Sequence, residues 1–248
     1  MKISIITVSY NSQSTILDTI DSVNNQVYPN IEHVFIDGKS TDNTLDIIKS
    51  KSKRENVIIS EKDNGIYDAM NKGIKYCSGD IIGILNSDDL YCSNLIIGQI
   101  VKAFDKSGKD IVYGNINYVD KENTNKVIRK WKSSNYITNS FKKGWHPPHP
   151  SFFVKKEVYE KYGNFDLKLK IAADFDLMYR FIEVKRAPSF FLDIFIVNMR
   201  MGGESNRSLQ NIYKGNKDVI KSFKKYNSKQ HPFYIFYRLI PKLKQFLR

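Results

Sequence analysis

Asp80-Ile81-Ile82-Gly83-Ile84-Leu85-Asn86-Ser87-Asp88-Asp89 is the stretch that decides the fold. Asp80 to Leu85 reads as a strand, and its apolar run stops on two adjacent carboxylates. Acids held side by side at a strand end repel each other unless a cation sits there. Hard oxygen ligands around a shared diphosphate suit Mg²⁺ or Mn²⁺.

The flanking sequence repeats this plan. Strands are expected at Ile3 to Val8, Ile31 to Asp37 and Val57 to Ser60 before the stretch, and at Ile111 to Tyr113 after it. Helical patterns separate them at Ser14 to Asn24, Thr41 to Lys51, Ile66 to Cys77 and Asn94 to Phe104. In the third, Ile66, Met70, Gly73, Ile74 and Cys77 share one face. Such alternation predicts an α/β, Rossmann-like fold whose mainly parallel sheet is flanked by helices. Ligands then bind beyond the carboxyl ends of the strands. The polar blocks there are Ser9-Tyr10-Asn11, Asp37-Gly38-Lys39-Ser40-Thr41-Asp42, Glu61-Lys62-Asp63-Asn64-Gly65 and Asn86-Ser87-Asp88-Asp89. Taken singly, each is ordinary turn or cap chemistry; four on one rim point to a site. Neither G-x-G-x-x-G nor G-x-x-x-x-G-K-[ST] occurs, so metal and side chains must handle a nucleotide's phosphates.

The second half is less regular. It offers strands at Lys126 to Trp131 and Ser151 to Val154, a helix from Ala173 to Val184, and an apolar stretch from Phe190 to Met199. The two halves are expected to share one sheet.

With 248 residues, 41% hydrophobic, the chain suits one sizeable domain with an appended tail. The net charge is +13, but residues 211–248 carry ten Lys/Arg against the single acid Asp218, which leaves four for the rest. That placement argues against a nucleic-acid partner, which needs basic residues over the folded surface. Two cysteines, Cys77 and Cys92, make neither a zinc motif nor a disulfide framework, so the expected compartment is cytoplasmic. The apolar start is too short for a signal peptide, and no run reaches the ~18 apolar residues of a membrane span. Phe233 to Leu247 mixes aromatic, apolar and basic residues around Pro241, a pattern that fits a peripheral contact with an anionic inner membrane face.

The runs IITVSYN, FIDGKSTDNT, EKDNGIYDAMNKG, GDIIGILNSDDLY and IAADFDLMYR, in that order, resemble family 2 of the inverting glycosyltransferases, which have the GT-A fold. The likeness implies one glycosyltransferase domain over 1–210 and a basic amphipathic tail over 211–248. Within the domain, 1–115 would bind the nucleotide-sugar and 116–210 the acceptor. It also implies that Tyr10, Asn11 and Asp37 surround base and ribose, with Asp63 nearby. Asn86-x-Asp88 falls at the family's D-x-D position, so Asp88 would hold the metal with Asp89 beside it; Asn86 replaces the usual acid at the ribose. The implied reaction moves a hexosyl or N-acetylhexosaminyl group from a nucleotide-sugar, a UDP-sugar first, to a glycan or lipid-linked glycan in bacterial polysaccharide synthesis. Q-x-x-R-W, the motif of processive synthases, is absent, so one sugar per acceptor is expected.

Inversion needs a carboxylate to take the acceptor's proton. The family draws it from an acidic pair opening a helix before x-x-L-x-x-R. Asp174, Leu177 and Arg180 match that frame, with Ala173 in place of the first acid, so Asp174 is the candidate base; a helix cap is its bland alternative. Asp176 is expected to pair with Arg180 at i, i+4. In Trp145-His146-Pro147-Pro148-His149-Pro150, His149 resembles a histidine that faces diphosphate or acceptor, and His146 is the second candidate. Gly202-Gly203-Glu204-Ser205 reads as a lid or a plain turn. Two readings compete: a sugar-phosphate nucleotidyltransferase, disfavoured because Ser9 to Ser14 has neither glycine nor base, and a basic nucleic-acid-binding protein.

Overall fold

The computed structural model describes residues 1–202, 209–229, 231 and 234. Its strands are β1 (Ile3–Ser9), β2 (Ile31–Asp37), β3 (Glu55–Ser60), β4 (Ile81–Ile84), β5 (Leu90–Tyr91), β6 (Ile111–Val119), β7 (Val127–Trp131), β8 (Phe152–Lys155) and β9 (Ser189–Arg200). The helices are α1 (Ile16–Asn24), α2 (Thr44–Lys51), α3 (Ile66–Tyr76), α4 (Ile96–Ser107), α5 (Lys156–Tyr162), α6 (Ala173–Met178) and α7 (Leu209–Lys225).

β1 and β2 are buried along their whole length because helices cover both faces, which is why they read as unbroken apolar runs. Their polar members are satisfied across the pair. Ser4 donates to Glu32 (2.5 Å), and Thr7 shares a 2.9 Å bond with His33, whose imidazole burial pushes down to about 3 and so keeps neutral. α3 lies on this layer through Ala69, Met70, Gly73 and Ile74. Gly73 permits the approach: a Cβ there would stand 2.5 Å from Ile6 Cγ2. Ile66, expected on the same face, is exposed at the rim instead.

The sheet order is β3-β2-β1-β4-β8-β6-β9-β5, with β7 also on β6. β3, β2, β1 and β4 are parallel, and β6 runs parallel to β9; β8, β7 and β5 join antiparallel. The α/β sheet is therefore mixed, and β4–β8 pairing joins the two halves as expected. The crevice for a ligand opens at the carboxyl ends of β2, β1 and β4.

Sequence patterns ended β6 at Tyr113, but it continues to Val119 through a register shift at Gly114. β9 passes so close that a Cβ on Gly114 would lie 2.9 Å from the Leu192 and Ile194 carbonyl oxygens, so this glycine marks a bulge rather than a strand end. After α6 the chain winds as a π-helix over Tyr179–Val184. α7 belongs to the body: Val219 and Phe223 are fully buried, and Phe223 meets Phe175 and Tyr179 edge-on at 5.7 and 5.0 Å. Burial on that scale stabilises the docking by about 1.5–3 kcal/mol per side chain.

Candidate active site

Three strand ends are fastened by Asp37. Its fully buried carboxylate accepts hydrogen bonds from Ser40 N (3.0 Å), Ser40 Oγ (2.5 Å), Ser60 Oγ (2.7 Å) and Ser9 Oγ (3.3 Å). Asn11 adopts a left-handed φ of 48°, and its Oδ1 accepts from Thr41 N at 2.9 Å. Asn11 and Asp37, two of the three residues that resemblance places around base and ribose, thus hold the rim together. Tyr10 and Asp63 form the open shelf beside them. Tyr10 is 63% exposed, and a Cβ on the intervening Gly38 would lie 3.4 Å from the Tyr10 ring and 2.6 Å from Asp63 Oδ2. Gly65 N donates to Asp63 Oδ1 (2.8 Å), a turn that leads directly into α3.

At the end of β4 the two acids differ. Asp89 is 1% exposed; its carboxylate accepts from Asn86 Nδ2 and from Arg200 N, both at 3.1 Å. Burial, with the neighbouring Asp88 charge, pushes its carboxyl well above the usual range. Asp89 is therefore turned inward, away from the metal position expected for it. Asn86 has a reason to replace an acid: its amide supplies a donor where a second carboxylate would repel. Its Oδ1 is buried without a partner, so the ribose contact expected of it has no exposed acceptor.

Asp88 is half-buried at the rim, and burial raises its carboxyl, countered in part by Arg200. Arg200 braces the loop: Nη1 donates to the Asp88 carbonyl (2.7 Å), Nε to the Lys121 carbonyl (3.2 Å), and Nη2 pairs with Asp18. Among the described residues no three His, Cys, Asp or Glu side chains converge on one point. Asp88 alone still fits Mg²⁺ or Mn²⁺, as a half-buried carboxylate with no Lys, Arg or His in contact among the described residues, provided phosphate and water complete the shell.

On the acceptor side, Asp174 lies inside the first turn of α6. Ala172 is the cap residue and no side chain caps this helix, so the cap alternative falls away. Asp174 Oδ1 accepts from Phe175 N (2.8 Å) and from Tyr67 Oη (3.2 Å). His149 senses the Asp174 charge, but burial outweighs it and pushes the imidazole below its ordinary value; it is a neutral hydrogen-bonding group at pH 7. His146 packs edge-on against Trp131 and Phe175 at 5.1 and 5.7 Å, which leads to the same corner. Asp176 is fully buried, 3.7 Å from Arg180 Nη1, and accepts from Ser222 Oγ at 2.7 Å, which pins α7. A larger open depression of about 580 Å³, lined by Asp18, Asp21, Tyr91 and Asn94 among others, contains none of the expected site residues.

Tyr67 and Arg200 escaped the sequence reading. Tyr67 lies within EKDNGIYDAMNKG, where its helical neighbours drew attention; Arg200 shows only as a charge closing an apolar strand. The expected lid begins at Gly202, but residues 203–205 lie outside the described residues.

A mixed sheet whose parallel strands β2, β1 and β4 end in polar blocks, with Asp88 half-buried at one of those ends, fits a nucleotide-dependent transferase. Residues 4–163 match the family described as Glycosyl transferase family 2. The chain belongs to that family and is a glycosyltransferase. Asp174 lies beyond the matched segment. An uncharacterized glycosyltransferase of Mycobacterium tuberculosis is 31% identical over 188 residues, 72% of this chain and 68% of the relative. The Escherichia coli enzyme WfgD, named UDP-Glc:alpha-D-GlcNAc-diphosphoundecaprenol beta-1,3-glucosyltransferase, is 34% identical over 137 residues, 55% of this chain and 53% of that one. In fold, S. aureus TarS in complex with UDP-GlcNAc superposes with a TM-score of 0.67 at 17% identity, covering 93% of this chain and 68% of TarS. The mannosyltransferase PcManGT of Pyrobaculum calidifontis, in complex with GDP-Man and Mn²⁺, gives 0.66 at 18%, covering 95% and 68%. The GT-A fold expected from sequence is the one observed.

Proposed function

We propose that the protein transfers a hexosyl or N-acetylhexosaminyl group, with inversion, from a nucleotide-sugar to an acceptor hydroxyl in bacterial glycan synthesis. The observation that carries this reading is Asp174, a half-buried carboxylate with one oxygen held and the other free of protein donors among the described residues, tied through α3 to the Tyr10–Asp63 shelf. The base and ribose lie on that shelf. The acceptor hydroxyl gives its proton to Asp174 as its oxygen bonds to the anomeric carbon; the bond to the diphosphate breaks on the opposite side and its electron pair leaves with the nucleotide. Asp88 would hold a divalent cation, which would neutralise charge developing on that diphosphate. His149, neutral, hydrogen-bonds to the phosphate or acceptor without adding charge. WfgD, which is named for UDP-Glc, and TarS, in complex with UDP-GlcNAc, favour a UDP-sugar, and the diphosphoundecaprenol in the name of WfgD favours a lipid-linked glycan acceptor. Residues 1–115 are assigned to the donor, 116–210 to the acceptor and 211–248 to the basic C-terminal part.

Thermal unfolding with UDP, GDP, UDP-glucose, UDP-N-acetylglucosamine and GDP-mannose, each with and without Mn²⁺, tests the donor. Ligand at 100 times Kd stabilises by about 2.7 kcal/mol, a shift of several degrees. Uridine ligands are expected to produce it, and more with Mn²⁺. No response to any nucleotide overturns the donor reading.

Among the described residues no helix is long and apolar enough to cross a membrane. A lipid-linked acceptor would still reward peripheral placement. Phe233 to Leu247 lies outside the described residues apart from Tyr234, which packs on Phe223 at 5.5 Å. We assign the remainder of that segment to an anionic membrane face, where each Lys or Arg contributes about 1 kcal/mol. Full-length protein should sediment with anionic but not neutral vesicles, less so in high salt, and a chain ending after Tyr234 should stay in solution. Equal pelleting of the two chains counts against the membrane contact.

A further inference from the structure

Tyr67 has one hydroxyl proton and two acceptors within reach, the Ile171 carbonyl oxygen at 2.8 Å and Asp174 Oδ1 at 3.2 Å. Its ring is stacked on Phe165 with centroids 5.5 Å apart. Burial and the Asp174 charge both push the phenol well above its ordinary value, so it remains a donor throughout the working pH range. Asp174 Oδ1 is further engaged by Phe175 N, while Oδ2 receives no hydrogen bond among the described residues. The Asp174 side chain is half-buried, and its donor Tyr67 lines a cleft of about 50 Å³ with Asp68, Leu167 and Lys170 among others.

We propose that Tyr67 is a positioning residue for Asp174: it holds Oδ1, fixes the plane of the carboxylate, and leaves Oδ2 as the atom that takes the acceptor's proton. The inference rests on Asp174 being the base. While Asp174 is ionised, its oxygen is the stronger acceptor and draws the tyrosine proton. Once Oδ2 carries the acceptor's proton, the carboxyl is neutral and the same O–H turns to the Ile171 carbonyl. Nothing is consumed; one hydroxyl rotates between two acceptors as the base changes charge. The other ionisable groups at this corner do not compete for the role: Asp68, which lines the cleft with Lys170, accepts from Asn64 N at 2.9 Å and lies 3.9 Å from Lys72 Nζ. His149 is neutral; Asp176 faces α7, held by Ser222, Arg180 and Lys225; Asp218 on α7 accepts from Ile171 N at 3.0 Å, which fixes the residue whose carbonyl is the alternative acceptor.

Two readouts test this on the full chain. The first needs no substrate: the ¹³C carboxyl resonance of Asp174, identified by its loss in Asp174→Asn, is followed through a pH titration. In Tyr67→Phe, which keeps the ring on Phe165, the midpoint should move to higher pH, because the ionised form has lost a donor. Phe165→Leu removes the stacked ring and keeps the hydroxyl; it should lower Tm and leave the midpoint in place. The second readout is hydrolysis of UDP-glucose, UDP-N-acetylglucosamine or GDP-mannose, with water in the acceptor's place. Tyr67→Phe should lower kcat about tenfold with KM unchanged. An unmoved midpoint in Tyr67→Phe, or equal shifts in Tyr67→Phe and Phe165→Leu, overturns the positioning role. If Asp174→Asn itself retains turnover, it is the assignment of the base that has failed.

Discussion

Asp174→Asn should bind the nucleotide-sugar donor as the unmodified protein does and lose transfer by about 10² or more. The substitution suits the question because the amide reproduces the shape. Its carbonyl oxygen can take the place of Oδ1 and accept from Phe175 N and Tyr67, so the helix start and the α3 contact persist. What disappears is an atom able to take a proton. Binding should hold because the shelf of Tyr10, Gly38 and Asp63 lies in the other half of the chain. The measurement pairs nucleoside-diphosphate release with donor affinity on the same preparation. Turnover near the unmodified level would remove Asp174 from the chemistry. Asp176, two residues on, could not inherit the role: it is fully buried and shared among Ser222, Arg180 and Lys225.

Why the sequence singles out Asp174 and not the residues that contact it is a matter of range. β1, β2 and β4 announce themselves because burial on both faces forces unbroken Ile and Val runs, and the polar blocks follow each run at once. The existence of each of these strands and the position of its polar block were legible. Contacts made across the chain were not. Asp37 appeared as a ligand-facing acid, whereas its bonds to Ser9 and Ser60 make it the rivet of three strands. Asp89 read as lying beside Asp88 at the metal; Arg200, more than a hundred residues away, turns it inward. The bulge at Gly114 looked like a strand end because β9, which fills the space a side chain would need, is built from residues eighty positions later. α7 read as tail because its lysines dominate the composition, while its docking rests on the few residues that face the body, Asp218, Val219, Ser222 and Phe223 among them.

The unequal environments of Asp88 and Asp89 lead to opposite results for their alanine variants. Asp89→Ala deletes the acceptor used by Arg200 N and Asn86 Nδ2, leaving two donors unpaired in a buried place, at a cost of about 1–3 kcal/mol each. Its first effect is therefore on stability, seen as a Tm several degrees lower. Asp88→Ala removes a half-buried carboxylate that burial already disfavours in its charged form and that no Lys, Arg or His touches among the described residues. The fold should tolerate the loss with its Tm unchanged or raised. Its effect falls on function. The increment that Mn²⁺ adds to nucleotide binding should vanish, and transfer should drop by about 10²–10³, the size associated with losing one stabiliser of a developing anion. EDTA should impose the same loss on the unmodified protein and add nothing to the variant. That last comparison is the decisive one: two treatments acting on one cation cannot be additive. Full activity in EDTA, or a further drop when EDTA is added to Asp88→Ala, places the metal elsewhere or removes it from the reaction.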